Sequence, residues 1–215
     1  IHSILNEGCE TALTPRMGPV HIDLPRDVLG HSSDFAPPQK HQITKPPIAD
    51  ETSIQKSVKL LSEAEKPVIL IGAGIKNYGS EGSETVISLA ELLNAPMTAS
   101  PGHNDAIPSG HPLYAGAAGP RGSGLGTKLL KQADVILVLG SRIGFNTSFY
   151  SYENINEKAT IIQCEIDQKS IGRYFPVKVG ILADAKTVAK QLYSSLKTVQ
   201  LKKEVEEWSN QFKKN

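Results

Sequence analysis

Two stretches of this chain place small and charged residues where backbone and side chain together can hold a ligand. IGAGIKNYG, Ile71 to Gly79, follows an apolar run and precedes a helical pattern. In that setting a glycine turn lets backbone N–H groups approach a phosphate at a helix N-terminus. Gly72 and Gly74 would form the turn; a tight bend that simply requires small residues fits the same pattern. The third glycine of a dinucleotide fingerprint belongs at position 77, where Asn77 stands, and no strand ending in an acid follows about twenty residues later. Both departures argue against a nicotinamide dehydrogenase. LGSRIG, Leu139 to Gly144, closes a second apolar run, and the carboxyl ends of parallel strands line the ligand crevice of such sheets. Arg142 there suits either a phosphate or a neighbouring loop. Asp167, closing CEID, and Asp184, in LADAK, also follow expected strands. Either carboxylate can accept hydrogen bonds from an adenosine, and Asp184 equally suits the N-cap of a helix.

Other chemistries find little support. The six histidines show no HxH or HxxxH spacing, and Cys9 and Cys164 stand far apart, so neither zinc ligation nor a CxxC redox pair is indicated. The two cysteines are expected as reduced thiols of a cytoplasmic protein. His103 in PGHND and His111 in GHPLY are expected on a loop, as turn or surface residues. No GxSxG elbow occurs. Lys plus Arg number 23 against 22 Asp plus Glu, a net charge of +1, which gives no reason to expect nucleic acid as partner. No apolar run approaches the roughly 18 to 20 residues of a membrane span. The chain begins at Ile1 in mid-pattern, as though cut from something longer.

The elements that must position these residues follow from periodicity. Ser3–Leu13 suits a short helix, and Val20–Leu24 in GPVHIDLPRDVLG alternates like a strand. No second strand candidate appears for more than forty residues, so this one needs a partner from elsewhere, and residues 1–30 are expected to pack on the following domain or on another copy. A Pro-rich linker covers 31–50. Asp50 or Thr52 then caps a helix carrying Ile54, Val58 and Leu61. Strands over Lys66–Ile75, Pro96–Ser100, Ala133–Gly140, Ala159–Ile166 and Val177–Leu182 alternate with helices over 80–94, over 124–132 and from Asp184 or Ala185 onward. Residues 101–122 read as a Gly- and Pro-rich loop. This alternation predicts an α/β fold with a doubly wound, mostly parallel, Rossmann-like sheet across residues 51–198. The tail 199–215, with Val205, Trp208 and Phe212 at helical spacing, suits a docking helix or a second linker helix.

The ordered set GPVHIDLPRDV, KPVILIGAG, HPLYAGAAGPRG, ADVILVLGSRIG, IIQCEIDQKSIG and VGILADAK resembles the central domain of thiamine diphosphate-dependent enzymes of the acetolactate synthase superfamily. The resemblance implies that residues 1–30 end the preceding pyrimidine-binding domain, which would supply the missing strand partners. It implies that thiamine diphosphate and magnesium bind outside this chain, which lacks a Gly-Asp-Gly motif and would by itself be inactive, and that the parent chain also carries a diphosphate-binding domain and assembles as a homodimer or homotetramer. Central domains of this family hold FAD, ADP or no nucleotide. The matching cofactor-binding positions are Gly72, Gly74, Gly119, Arg121, Arg142, Glu165, Asp167 and Asp184. Arg142-Ile143-Gly144-Phe145 replaces the Arg-Phe-Asp-Asp of flavin-binding members, and Ala183-Asp184 replaces Gly-Asp, which disfavours FAD. HNDAIPSGHPLYAG and LGSRIGFNTS look closer to sulfoacetaldehyde acetyltransferase, which converts sulfoacetaldehyde and phosphate to acetyl phosphate and sulfite, than to acetolactate synthase. Beside the resemblance stands a second reading of another class, a stand-alone module that binds ADP, FAD or coenzyme A, carries no chemistry and works through a partner.

Overall fold

The computed structural model describes residues 1–14, 16–32, 34 and 46–212. The chain divides into two compact units, Ile1–Pro46 and Pro47–Asn215. Most of the expected linker, residues 35–45, lies outside the described residues.

In the first unit, α1 (His2–Leu13) is followed by an extended stretch and by the single turn α2 (Arg26–Leu29). Gly8 is the one buried residue of α1, because a Cβ there would lie 2.5 Å from the Ile22 side chain. The extended stretch therefore runs close along the helix. Val20–Leu24 carries no strand pairing, contrary to the strand expected from its alternation: period-2 side chains favour an extended backbone, but a strand also needs a neighbour for its N–H and C=O groups. Val20 and Leu24 remain exposed.

The second unit contains a six-stranded, wholly parallel sheet. Its strands are β1 (Pro67–Ile71), β2 (Met97–Ala99), β3 (Tyr114–Ala117), β4 (Val135–Leu139), β5 (Thr160–Glu165) and β6 (Val179–Leu182), in the order β3-β2-β1-β4-β5-β6. Every residue of β1 and β4 is buried, as a central strand covered on both faces requires. Alternate side chains feed two cores. Ile69, Ile71, Leu137, Leu139 and Ile162 face α3 (Glu51–Ser62), α5 (Gly79–Leu93) and α8 (Ala185–Leu196), the three helices whose buried residues share that core. Val68, Leu70, Ile136 and Val138 join Leu129 and Leu130 of α6 (Gly124–Gln132) in the other.

Local signals set the helix ends. The Asp50 carboxylate accepts from the Ser53 amide at the start of α3, 2.9 Å, and Ser123 caps α6. Asn94, at φ 48°, ends α5 in the left-handed conformation that asparagine tolerates. Two one-turn helices, α4 (Ala73–Lys76) and α7 (Phe145–Ser148), follow β1 and β4. The tail forms α9 (Glu204–Asn210), which docks: Trp208 and Phe212 are buried in the second core, and the indole Nε1 donates to Pro67 O at 3.1 Å. Of the two roles the sequence left open for this helix, docking is the one the structure shows.

The strand β3 falls inside the loop expected over 101–122. Met97 pairs with Tyr114 and Ala99 with Ala117, so two steps on β2 oppose three on β3, and Gly116, at φ 81°, takes up the difference as a bulge. A four-residue YAGA strand with a bulge offers neither an apolar run nor an alternation.

Candidate functional site

In a sheet of this order the ligand crevice opens at the carboxyl ends of β1 and β4, where the strand order reverses. Gly72 and Gly74 lie there, and their amides are already engaged: Gly72 N–H donates to Leu139 O at 3.0 Å and Gly74 N–H to Gly140 O at 3.1 Å. A Cβ at Gly72 would run into the Gly140 carbonyl, and one at Gly74 would stand 2.7 Å from Gly140 Cα. Close backbone contact between the turns after β1 and β4 accounts for both glycines. Gly140 completes the contact at φ 64°. The helix that follows the first turn is only four residues long, so no extended helix N-terminus faces the crevice there.

A buried polar layer lies beside this contact. Ser100 Oγ and Ser141 Oγ are 2.7 Å apart, and Ser141 Oγ accepts from the Ile143 amide. Gln163 of β5 donates to Ser141 O and Ser170 O and accepts from the Gly172 amide at 2.8 Å, which ties the loops after β4 and β5 together.

The acids serve as local caps. Asp184 is buried and caps α8, its Oδ1 accepting from the Thr187 amide and hydroxyl at 2.7 Å each, while its Oδ2 accepts from the Tyr78 hydroxyl at 2.6 Å. Desolvation, then this hydrogen bond, pushes the Tyr78 phenol up to about 12. Lys186 stands 4.0 Å above the Tyr78 ring and pairs with Glu81 at 2.9 Å. The sequence reading missed this Tyr78–Asp184 bond because its partners lie 106 positions apart. Asp167 accepts from the Lys169 amide and the Ser170 hydroxyl, each at 3.0 Å, and the buried Glu165 carboxylate accepts from the Ile166 amide at 2.9 Å.

Gly119, at φ 106°, exchanges hydrogen bonds with the Thr127 hydroxyl at 3.0 Å, and a Cβ there would meet Asn146 O. The loop after β3 thus rests on α7. An open groove of about 610 Å³ runs from this loop along α6, lined by Gly119, Pro120, Thr127, Lys128, Lys131 and Gln132. Arg121 and Arg142 are exposed. Of the eight predicted positions, these two have side chains turned to solvent rather than built into caps or close contacts.

His103 lies after β2 with its Nδ1 buried and without a partner among the described residues. Burial, then the nearby Lys76 ammonium, depresses its pKa. Lys76 also pairs with Asp105 at 2.9 Å. Cys9 and Cys164 are both free, and burial holds the Cys164 thiol far above its usual range. No helix among the described residues is long and apolar enough to cross a membrane. Among the same residues no group of three or more His, Cys, Asp or Glu side chains could hold a metal ion.

A wholly parallel sheet in this order, with glycine turns at its crossover point, defines a Rossmann-like α/β domain. The chain belongs to the family described as thiamine pyrophosphate enzyme, central domain, whose model matches residues 54–192. It is 40% identical over 180 residues to sulfoacetaldehyde acetyltransferase of Roseovarius nubinhibens, covering 83% of this chain and 29% of the relative. It is 29% identical over 219 residues to the acetolactate synthase large subunit of Corynebacterium glutamicum, covering 99% of this chain and 34% of the relative. The chain thus spans about a third of the length of these curated relatives. In fold it matches benzoylformate decarboxylase from Polynucleobacter necessarius with a TM-score of 0.73 at 22% identity, over 94% of this chain and 36% of that one.

Proposed function

We propose that this chain is the central, bracing domain of a thiamine diphosphate-dependent enzyme of the sulfoacetaldehyde acetyltransferase type. Thiamine diphosphate and magnesium are held by domains outside it, and residues 1–30 close the preceding pyrimidine-binding domain. The observation that carries the reading is the 40% identity to sulfoacetaldehyde acetyltransferase over 180 residues. The bonded glycine turns after β1 and β4 add support, since a crevice closed by its own backbone suits a scaffold. In the complete enzyme the cofactor supplies the nucleophilic carbon and this domain fixes the separation of its neighbours.

The rim groups assigned to nucleotide contact are Arg121 and Arg142, with Gly119 shaping the first of the two loops; Gly72, Gly74, Glu165, Asp167 and Asp184 hold the rim itself. ADP is the ligand this assignment favours over FAD.

The direct test is an assay of the full-length product of the gene with thiamine diphosphate, magnesium and phosphate. Release of sulfite and acetyl phosphate from sulfoacetaldehyde supports the reading, whereas acetolactate formed from pyruvate in its place moves the enzyme to the synthase class. Calorimetry of ADP and FAD with the chain and with Arg142→Ala separates scaffold from nucleotide carrier: binding lost in the variant supports the assignment, and no heat from either nucleotide reduces the domain to a brace.

A further inference from the structure

The loop after β2 holds His103 more firmly than anything its side chain does for the fold explains. Three elements fasten that loop. From α4, the Lys76 ammonium donates to Gly102 O at 3.2 Å and pairs with Asp105 at 2.9 Å. From α5 the Ser83 hydroxyl donates to Ala106 O, and from β3 the Tyr114 hydroxyl donates to Asn104 O at 2.9 Å. The His103 backbone is bonded on both sides, its N–H donating to Ser100 O at 3.0 Å and its carbonyl accepting from the Ala106 amide at 3.1 Å. The imidazole, by contrast, makes no hydrogen bond among the described residues. Its ring is half-buried, and Nδ1 is enclosed without a partner. Buried polar atoms are almost always paired, so a rigidly held ring with no bond of its own points to a partner from outside the chain.

The neighbours decide what that partner can be. Burial, then the charge of Lys76, holds the imidazole pKa below its usual 6.5, so the ring is neutral at physiological pH. An ammonium has three N–H donors, and Lys76 spends two of them, on Gly102 and Asp105. The third, together with the outer ring nitrogen Nε2, is left for a ligand. Lys76 repels a cation there, and an oxyanion matches both groups through charge-assisted hydrogen bonds. Asp105 balances part of the ammonium charge, so the imidazole takes up a proton from solvent as the anion arrives, and its Nε2–H then donates to the anion. The charges that reach the ring are Lys76 from α4 and Asp105 from the loop. The α5 and β3 side chains that hold the loop are the Ser83 and Tyr114 hydroxyls, both bonded to carbonyls.

We propose that Lys76 and His103 form a binding site for a tetrahedral oxyanion, a phosphate or sulfonate group, beside the carboxyl end of β2. The site goes beyond the assignment of Arg121 and Arg142 to a nucleotide and stands whether or not that assignment holds.

NMR of the six imidazoles in the 215-residue chain reads the site, with sulfate as the probe because its charge is constant across the titration. At constant ionic strength, sulfate is expected to shift the His103 ring signals saturably and to bind at least about fivefold tighter near pH ~5.5 than near pH ~7.5, since the bound anion raises the pKa of that ring. Lys76→Met is expected to weaken binding about tenfold. Asp105→Asn is expected to tighten it about threefold by removing a competing negative charge. The Asp105 side chain is 70% exposed, and a merely structural role for its pair with Lys76 predicts no such gain. Competition by inorganic phosphate and by methanesulfonate distinguishes the two sources of the group, the stronger competitor naming the inorganic or the organic anion. A His103 response no larger than that of His111, a Lys76→Met chain that binds as tightly as the unaltered one, or bound sulfate that neither competitor displaces overturns the proposal.

Discussion

Gly140 shows how little room separates the two turns at the centre of the sheet. Its φ of 64° is left-handed, and a Cβ there would press on the backbone of Gly74. Gly140→Ala therefore meets two penalties, conformational strain and backbone overlap, and is expected to cost about 2–4 kcal/mol, read as a lower urea midpoint with unchanged slope. Tyr78 offers a pH-dependent counterpart. Because burial and the Asp184 carboxylate raise its phenol from the usual 10.0 to about 12, the folded state keeps its proton where the unfolded chain has lost it. The stability it contributes is complete below pH 10 and is lost as pH rises from about 10 to about 12. Tyr78→Phe is expected to flatten the alkaline limb of a melting-temperature profile over that interval, since the variant has no proton to lose there. A limb as steep as that of the parent chain would place the titrating group elsewhere.

At the scale of elements, α9 is fastened by one side chain above all. Trp208 buries its ring beside Phe212 at 4.4 Å between centroids, donates to Pro67 O and sits next to Ser209, whose hydroxyl meets Asn94 at 3.1 Å. Trp208→Ala removes the ring and leaves a buried carbonyl unpaired, an expected loss of about 3–5 kcal/mol. The single tryptophan of the chain also reports the docking: its fluorescence is expected to be blue-shifted in the native chain, and an emission maximum already at the solvent-exposed value before unfolding would show α9 undocked.

Which elements were legible in the sequence follows from what made each one form. β1 and β4 announce themselves as apolar runs because both their faces are covered, and α6 and α8 carry capping residues at their starts. β3 escaped because its place in the sheet rests on a bulge at Gly116 and on neighbours supplied by β2, neither of which leaves a local pattern. Val20–Leu24 shows the converse, a correct pattern without a ladder. At the rim, Asp184 followed the capping alternative the sequence had offered, while its bond to Tyr78 joins positions 106 apart and leaves no local pattern.

For the molecule as a whole, the second unit carries both cores within residues 49–212, while the first unit leaves Ile4, Leu5, Val20 and Leu24 exposed. That contrast fits the proposal that residues 1–30 belong with a preceding domain. The proposed bracing role rests on the same contrast, between a sheet with two filled cores and a first unit whose apolar side chains stay exposed.

The pairing of β1 with β4 also bears on how the chain comes to fold. The Asp134 carboxylate anchors the start of β1 through the Lys66 amide, 68 positions away in sequence, and the strand pair beside it has the same long span. A ribosome that has delivered β1, β2 and β3 has thus made half a sheet whose innermost edge still waits for its mate. Assembly of the domain is consequently bound to the second half of its synthesis, and a nascent chain paused before Val135 would present the apolar β1 edge to chaperones.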